Sequence, residues 1–316
     1  MTKRIIFLTE MGLTGTIPRT HDNMRVEFAQ MSALQAVHWP MLKMDQISDW
    51  YDYAVLLIGK TTSFRDQIFN IDVVEQAKQF ASKVYFMQEG PSWIFHDMPL
   101  HHQFWHYNVL ASVDGILTEN VTDIPYYKGI NPNVPIIDIP SLMIEDGIQD
   151  LPNVPRSGTI IGGTFCHWYG GFDSYIIAQS FNEPIHAPSM GRKKLEEDQI
   201  DDLTFLPYMT WIEWIRVLNQ FKYAVHLMPT FAAGTFAMNC SYLGIPCIGY
   251  STVDTQRNLH PHLSIESGDL ANARKLANML KNDLDFYNDC SIETKTRYAQ
   301  YHSESKFMEH MSHVFN

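Results

Sequence analysis

The stretch Pro229–Tyr250, PTFAAGTFAMNCSYLGIPCIGY, decides the fold because it marks both ends of a helix and the strand after it. An apolar run, YAVHLMP, leads into small residues that end at Gly234, so we predict a helix from Thr235 to Gly244. Gly244 favours the left-handed backbone conformation that ends a helix, and Pro246 cannot extend the helix. The run PCIGY is therefore predicted to be the next strand. The unpaired N–H groups and positive dipole at the start of such a helix suit a pyrophosphate.

Short apolar runs alternate with helix-like stretches on both sides of the middle of the chain. RIIFLTE, YAVLLIG, KVYFMQEG, GILTEN and VPIIDIP occupy the first half, and TIIGGTF, EPIHAPS, LTFLPYM, YAVHLMP and PCIGY the second. Apolar strands separated by helices are typical of parallel sheets covered on both faces. The pattern predicts an α/β protein with two Rossmann-like domains and a cleft between them. We place the domains at residues 1–143 and 158–289, with a linker rich in Pro, Gly, Asp and Asn at 144–157.

Composition limits the classes of protein. The 316 residues are 45% hydrophobic and 13% aromatic, which is enough for two cores. The chain lacks a run of about 18 apolar residues and a cleavage-like N-terminus, so we expect a soluble, cytoplasmic protein without a membrane partner. Its four cysteines have no C-x-x-C spacing, which favours free thiols. A net charge of −12 argues against nucleic acid as a partner, although a locally basic cleft would still permit it.

The Pro229–Tyr250 run resembles the donor-site signature of GT-B glycosyltransferases, a loop, a helix and an A-x-G-x-P-V-I-like turn. The resemblance implies a UDP-sugar co-substrate with no required cofactor, and a last helix, within residues 290–316, that packs back on the first domain. The family's ribose-binding Glu falls at Asn239, and a second Glu, found in many retaining members, falls at Phe231. A neutral amide binds ribose more weakly than a carboxylate, and the two departures argue against the retaining subclass.

Other donor-binding candidates follow the strands of the second half. The two glycines that end the run TIIGG let a substrate approach the backbone. Basic residues of the run GRKK, at 191–194, would stabilise the negative charge on the diphosphate leaving group. The alternative for the two glycines is a tight turn without a ligand, and the alternative for the basic residues is a solvated helix start. The predicted donor site comprises Gly162, Gly163, Thr164, Arg192, Lys193, Gly234, Thr235, Asn239, Gln256 and Arg257.

Glu89 is the predicted catalytic base, because it ends the run KVYFMQEG and a carboxylate at a strand's carboxyl end sits on a rigid element. In element order the chain resembles the T-even phage DNA β-glucosyltransferases, and this resemblance implies that Glu89 deprotonates an acceptor hydroxyl for an inverting attack. A helix cap or surface carboxylate is the alternative. The loop after the first strand could line the acceptor side or be a plain flexible loop, with candidates Gly12, Thr14, Gly15, Thr16 and Arg19.

His102 and His106 stand four residues apart, but no carboxylate or cysteine has a diagnostic spacing, so we predict no metal site. The sequence therefore predicts a hexosyl- or pentosyltransferase that moves a sugar from a UDP-sugar to an acceptor hydroxyl. The phage resemblance implies a hydroxymethylated pyrimidine in DNA as acceptor, whereas the acidic charge favours a small molecule, glycan or protein. A nucleotide-sugar 2-epimerase and a non-catalytic nucleotide-sugar-binding protein remain as alternatives.

Overall fold

The computed structural model describes residues 3–10, 13–59, 65–166, 168–188, 196 and 199–315. The chain forms two compact units. The first combines Met1–Arg19, Glu27–Pro140 and Glu304–Asn316, and the second combines Thr20–Val26 with Ser141–Ser303. Residues 290–316 are thus divided between the two units at Glu304.

The first half of the chain contains seven strands and five α-helices among its described residues. The strands are β1 (Ile5–Thr9), β2 (Gly15–Thr16), β3 (Val37–Pro40), β4 (Tyr51–Ile58), β5 (Ala81–Gln88), β6 (Gly115–Thr118) and β7 (Ile136–Asp138). The helices are α1 (Val26–Ala33), α2 (Arg65–Ile68), α3 (Val73–Ala77), α4 (Leu100–Ser112) and α5 (Ile124–Ile130), with 3-10 turns at Met41–Gln46, Ser92–Phe95 and Val121–Asp123.

The second half contains six strands and seven α-helices among its described residues. The strands are β8 (Thr159–Ile161), β9 (Ile185–Ala187), β10 (Leu203–Phe205), β11 (Tyr223–His226), β12 (Cys247–Tyr250) and β13 (Ser264–Ile265). The helices are α6 (Gly171–Ala178), α7 (Trp211–Leu218), α8 (Thr235–Leu243), α9 (Asp254–Leu259), α10 (Leu270–Asn282), α11 (Leu284–Tyr301) and α12 (Glu304–Val314), with 3-10 turns at Gln179–Phe181 and Pro261–Leu263.

Both units are built on parallel sheets. The first sheet has the order β2-β3-β1-β4-β5-β6-β7, and its strands pair in parallel except for the antiparallel pair β2–β3. The second has the order β10-β9-β8-β11-β12-β13, which is the 3-2-1-4-5-6 order of a doubly wound Rossmann sheet. Helices cover the continuous apolar strands, as the buried clusters of each unit show. The predicted α/β class with two Rossmann-like domains is confirmed.

The end of the chain is fixed to the first unit by contacts of α12 and the residue after it. Arg19 donates both terminal nitrogens to the carboxylate of Glu304, at 2.8 Å each. Phe315 is buried, and its ring centroid lies 4.9 Å from that of Tyr53 on β4. Residues from both ends of the chain therefore complete one unit.

Candidate functional site

The second sheet reverses its strand order between β8 and β11, which lie side by side with Ile161 paired to Val225. The connections after these two strands run to opposite faces of the sheet, which leaves a crevice at their carboxyl ends. Helix α6 begins after β8, and helix α8 begins after β11. The crevice of the second unit is therefore flanked by two helix N-termini.

Helix α8 begins and ends where the sequence predicts, with left-handed glycines at Gly234 and Gly244. A Cβ at Gly234 would lie 1.7 Å from Oγ1 of Thr255, so only glycine fits there. The Thr255 hydroxyl instead donates to the Gly234 carbonyl at 3.0 Å. Within the described part of the chain no side chain caps α8, so its first-turn N–H groups can bind a ligand anion.

Helix α6 also begins after a left-handed glycine, Gly170, which the sequence analysis does not name as a candidate. Gly170, in the left-handed conformation with φ +61°, precedes it, and a Cβ there would lie 1.8 Å from the Leu227 carbonyl oxygen. A Cβ at Gly171 would lie 2.3 Å from the Thr164 carbonyl oxygen. The Gly170–Gly171 pair thus brings the start of α6 against the end of β11, and this pair in the sequence is the signal that could have revealed it.

Gly162 and Gly163 allow close packing of the chain against itself. A Cβ on Gly162 would lie 2.6 Å from the His226 ring and 2.8 Å from Phe236, and one on Gly163 would lie 2.7 Å from Tyr169. The following Thr164 is buried, with its hydroxyl 3.4 Å from the Cys166 sulfur. The geometry explains both glycines by neighbouring side chains of the protein, and their approach to a substrate stays a prediction.

His226 ends β11 beside Gly162 and was also missed by the sequence analysis. Burial lowers the pKa of its imidazole to about 4, so the ring is neutral at pH 7. Its Nε2 atom is buried and has no hydrogen-bond partner among the residues that the structure describes. Since buried polar atoms are normally satisfied, this nitrogen is a candidate contact for a ligand in the crevice.

Asn239 has a structural role that the sequence could not show. It is 2% exposed, and in the orientation that satisfies its neighbours its nitrogen donates to the Thr235 carbonyl at 3.1 Å. Its oxygen accepts from the Trp214 indole N–H at 3.0 Å. Both ends of the amide are engaged inside the unit, which favours a packing role over ribose binding.

Two further candidates follow β12. Gln256 is 2% exposed and donates its amide to the Cys247 carbonyl at 2.9 Å, so it ties α9 to the sheet. Arg257 donates to the Asp254 carboxylate at 2.6 Å and to the Ser251 carbonyl at 3.1 Å, and 40% of its side chain remains exposed. Arg257 is therefore the more accessible of the two. Gly12, Arg192 and Lys193 lie outside the described residues.

Glu89 follows β5 at the carboxyl edge of the first sheet. Its N–H donates to the Ile58 carbonyl at 2.9 Å and extends the β4–β5 ladder by one bond. A Cβ on Gly59 would lie 2.7 Å from Oε2 of Glu89, so the carboxylate lies over the backbone that leaves β4. Glu10 and Glu119 follow β1 and β6 at the same edge, which makes this edge acidic.

Two residues of the loop assigned to the acceptor side, Gly15 and Thr16, form strand β2. Gly15 pairs with His38 and Thr16 with Val37, while Thr14 is exposed. The guanidinium of Arg19 is engaged by Glu304, so its observed role is to hold α12.

The two spaced histidines of α4 pack against aromatic rings. His102 stacks on Phe69 with a centroid separation of 3.5 Å, and His106 stacks on Phe95 at 4.1 Å. Searched over the described residues, His, Cys, Asp and Glu side chains form no group of three or more that could hold a metal ion. Within the same ranges of the chain, no helix combines the length and apolar character needed to span a membrane.

The chain matches no protein-family model, and no curated protein is significantly similar to it in sequence. Solved structures are similar in fold. The sucrose-phosphate synthase of Thermosynechococcus elongatus superimposes with a TM-score of 0.69 at 10% identity, covering 99% of this chain and 98% of the other. OtsA without ligand gives 0.69 at 8% identity, with 99% of each chain covered.

An alpha-glucosyltransferase in complex with UDP and a 13-mer DNA containing an HMU base gives a TM-score of 0.67 at 10% identity, again over 99% of each chain. This chain has the GT-B glycosyltransferase fold. The resemblance in element order that the sequence indicates is thereby confirmed at the level of the fold. At these identities the likeness concerns the fold alone.

Proposed function

We propose that the protein transfers a sugar from a UDP-sugar to an acceptor hydroxyl with inversion at the anomeric carbon. The observation that carries this proposal is the pair of glycine-started helices, α6 and α8, at the switch point of the second sheet. The first-turn N–H groups of α8 and the positive ends of both helices suit a diphosphate, which carries the leaving group's charge. The fold of the chain supports the same assignment.

In this proposal the second unit binds the donor. The N–H groups of Thr235 and the residues after it bind phosphate oxygens. Gly234 adopts the left-handed conformation at the start of this helix, where a Cβ would collide with Thr255. The partly exposed Arg257 supplies positive charge, with Arg192 and Lys193 as further candidates. Fixed donors of this kind stabilise the negative charge that develops on the diphosphate as the glycosidic bond breaks.

Glu89 of the first unit acts as the base. Its carboxylate takes the proton of the acceptor hydroxyl, the oxygen forms a bond to the anomeric carbon, and the bond from that carbon to the diphosphate oxygen breaks. UDP leaves with the electron pair. General-base catalysis of this type contributes about 10²–10⁴-fold to the rate.

Measuring UDP release and product formation with a panel of UDP-sugars and acceptors tests the proposal. Glu89→Gln should keep UDP affinity and lower transfer by at least about 100-fold. Glu75→Gln, at an exposed position on α3, is the matched control and should leave transfer unchanged. If Glu89→Gln transfers sugar at the wild-type rate, Glu89 is not the base.

The acceptor panel should include DNA with hydroxymethylated pyrimidines beside small molecules, glycans and proteins. The net charge of −12 disfavours DNA, whereas the likeness in fold to a glucosyltransferase solved with modified DNA keeps it in the panel. A change of the donor sugar without acceptor would instead identify a 2-epimerase. UDP binding without turnover of any donor would identify a binding protein.

A further inference from the structure

A pocket of about 300 Å³ lies between α4 and α5 in the first unit. Aromatic side chains form most of its wall: Phe95, His96, Phe104, His106, Tyr107 and Tyr126. Nothing in the proposed donor site or in the role of Glu89 uses these rings. The volume lies at the lower end of the range for small-molecule sites, enough for one or two fused rings.

The floor of the pocket consists of two buried, stacked rings, one of which contacts the residue before the candidate base. Phe95 and His106 are both buried, and their rings stack with a centroid separation of 4.1 Å and an interplanar angle of 10°. Nε2 of His106 lies 3.0 Å from Oε1 of Gln88, the residue before Glu89. Burial lowers the pKa of His106 to about 3, so the floor carries no charge at neutral pH.

The rim of the pocket is an exposed apolar stripe on α4. Leu100 is 69% exposed, Phe104 64% and Tyr107 50%, and they stand at positions i, i+4 and i+7 of one helix face. Large apolar side chains grouped in this way on a surface usually mark a binding site. The stripe continues into the stacked rings of the floor, so the pocket has one apolar wall from its exposed rim to its buried floor.

Gln103 and Tyr126, two polar side chains of the wall, are engaged within the protein. The Gln103 amide donates to the carbonyls of His96 and Met98 at 3.0 and 2.8 Å, and the Tyr126 hydroxyl lies 3.5 Å from Nε2 of His96. No Lys or Arg belongs to the described lining of the pocket. A phosphate would lack a cation there, and a sugar would find few hydrogen-bond partners, whereas an uncharged aromatic ring matches the wall.

We propose that this pocket binds the aromatic ring of a small uncharged acceptor, such as a phenol. The inference rests on the proposed transferase function, and it assigns the acceptor to a chemical class. The ring stacks against Phe104 and Tyr107, and the hydroxyl is the group that receives the sugar. The six rings of the wall make the pocket selective for aromatic over aliphatic acceptors.

The fluorescent phenol 4-methylumbelliferone serves as the probe, first for binding and then as acceptor with any UDP-sugar that the protein hydrolyses. Phe104→Ala and Tyr107→Ala should each raise the dissociation constant of the probe about tenfold, since an aromatic contact contributes about that factor. Both side chains are exposed, so the fold should tolerate their loss. Trp50→Ala, at an exposed aromatic next to the amino end of β4, is the control and should bind the probe as the wild type does.

Equal probe affinity in the wild type and both pocket variants would overturn the proposal, and so would the absence of binding to the wild type. A wild-type dimer that Phe104→Ala converts to a monomer, without probe binding, would assign the stripe to a contact between copies and also overturn it. If the variants weaken probe binding but no UDP-sugar is ever turned over, the ring-binding pocket is supported and the transferase function fails. UDP affinity measured alongside separates the two results.

Discussion

Replacing Asn239 separates the structural reading of this residue from the ribose-binding one. In Asn239→Ala the Thr235 carbonyl and the Trp214 indole N–H both lose a partner in a region where Asn239 is 2% exposed. The lost bond to the Thr235 carbonyl costs about 1 kcal/mol, and the Trp214 N–H left unsatisfied costs about 1–3 kcal/mol. We therefore expect a loss of about 2–4 kcal/mol of unfolding free energy with unchanged UDP affinity.

Asn239→Glu has different expected effects on UDP-sugar affinity and on stability under the two interpretations. If the residue binds ribose, a carboxylate restores the charge-assisted bond and tightens UDP-sugar binding. If it has the observed role, the longer carboxylate cannot donate to the Thr235 carbonyl and must be buried at a cost of several kcal/mol. The structure thus predicts a less stable protein with no gain in affinity.

Urea unfolding followed by tryptophan fluorescence gives the stability, and calorimetric titration with UDP gives the affinity. Trp214→Phe, alone and combined with Asn239→Ala, completes a double-mutant cycle, and we expect a coupling of about 0.5–3 kcal/mol because the two side chains share a hydrogen bond. Unchanged stability of Asn239→Ala, together with UDP binding weakened tenfold or more, would refute the structural reading.

Three further predictions concern stability. Lowering the pH from about 6.5 to about 4 should reduce the unfolding free energy by up to about 1.4 kcal/mol per pH unit for each buried imidazole. The reason is that these imidazoles become protonated in the unfolded chain but stay neutral in the folded chain. The imidazoles with pKa lowered by burial to about 3, 4 and 4 are His106, His226 and His260; urea titrations across this pH range that give a constant free energy would contradict the assignment. Phe315→Ala should cost about 3–5 kcal/mol in chemical denaturation, since the ring is 6% exposed against Tyr53, and a cost near zero would show that the end of the chain is not docked. Gly234→Ala should lower the melting temperature because its Cβ would lie 1.7 Å from a Thr255 oxygen, whereas Gly129→Ala, with open space in α5, should raise it slightly; equal shifts would count against the packing argument.

The sequence predicts those elements whose ends carry a local signal. Helix α8 has Gly at both ends, and each Gly adopts the left-handed conformation that Gly favours, so its limits are correct to the residue. Strand β3 was missed because its sequence VHWP has a Pro and a His where the other inner strands have continuous apolar runs.

The roles of single polar residues are harder to predict than the elements, because their hydrogen-bond partners are distant in sequence. Asn239 bonds to Trp214, and Arg19 to Glu304, which is 285 positions away. His226 was overlooked because a single His in the run YAVHLMP is indistinguishable from a core residue until its neighbours are known. Helix starts at strand ends, in contrast, follow from local chemistry and were predicted for α8.

One unit contains both Met1–Arg19 and Glu304–Asn316, so its segments are synthesised far apart in time. The second unit lies almost wholly within Ser141–Ser303, so all of its residues are synthesised before α12. The first unit, although begun earlier, lacks Glu304 and Phe315 until α12 and the residue after it have been made. We therefore expect chains that end before residue 304 to expose the Tyr53 face to chaperones, whereas their second unit has its full set of residues.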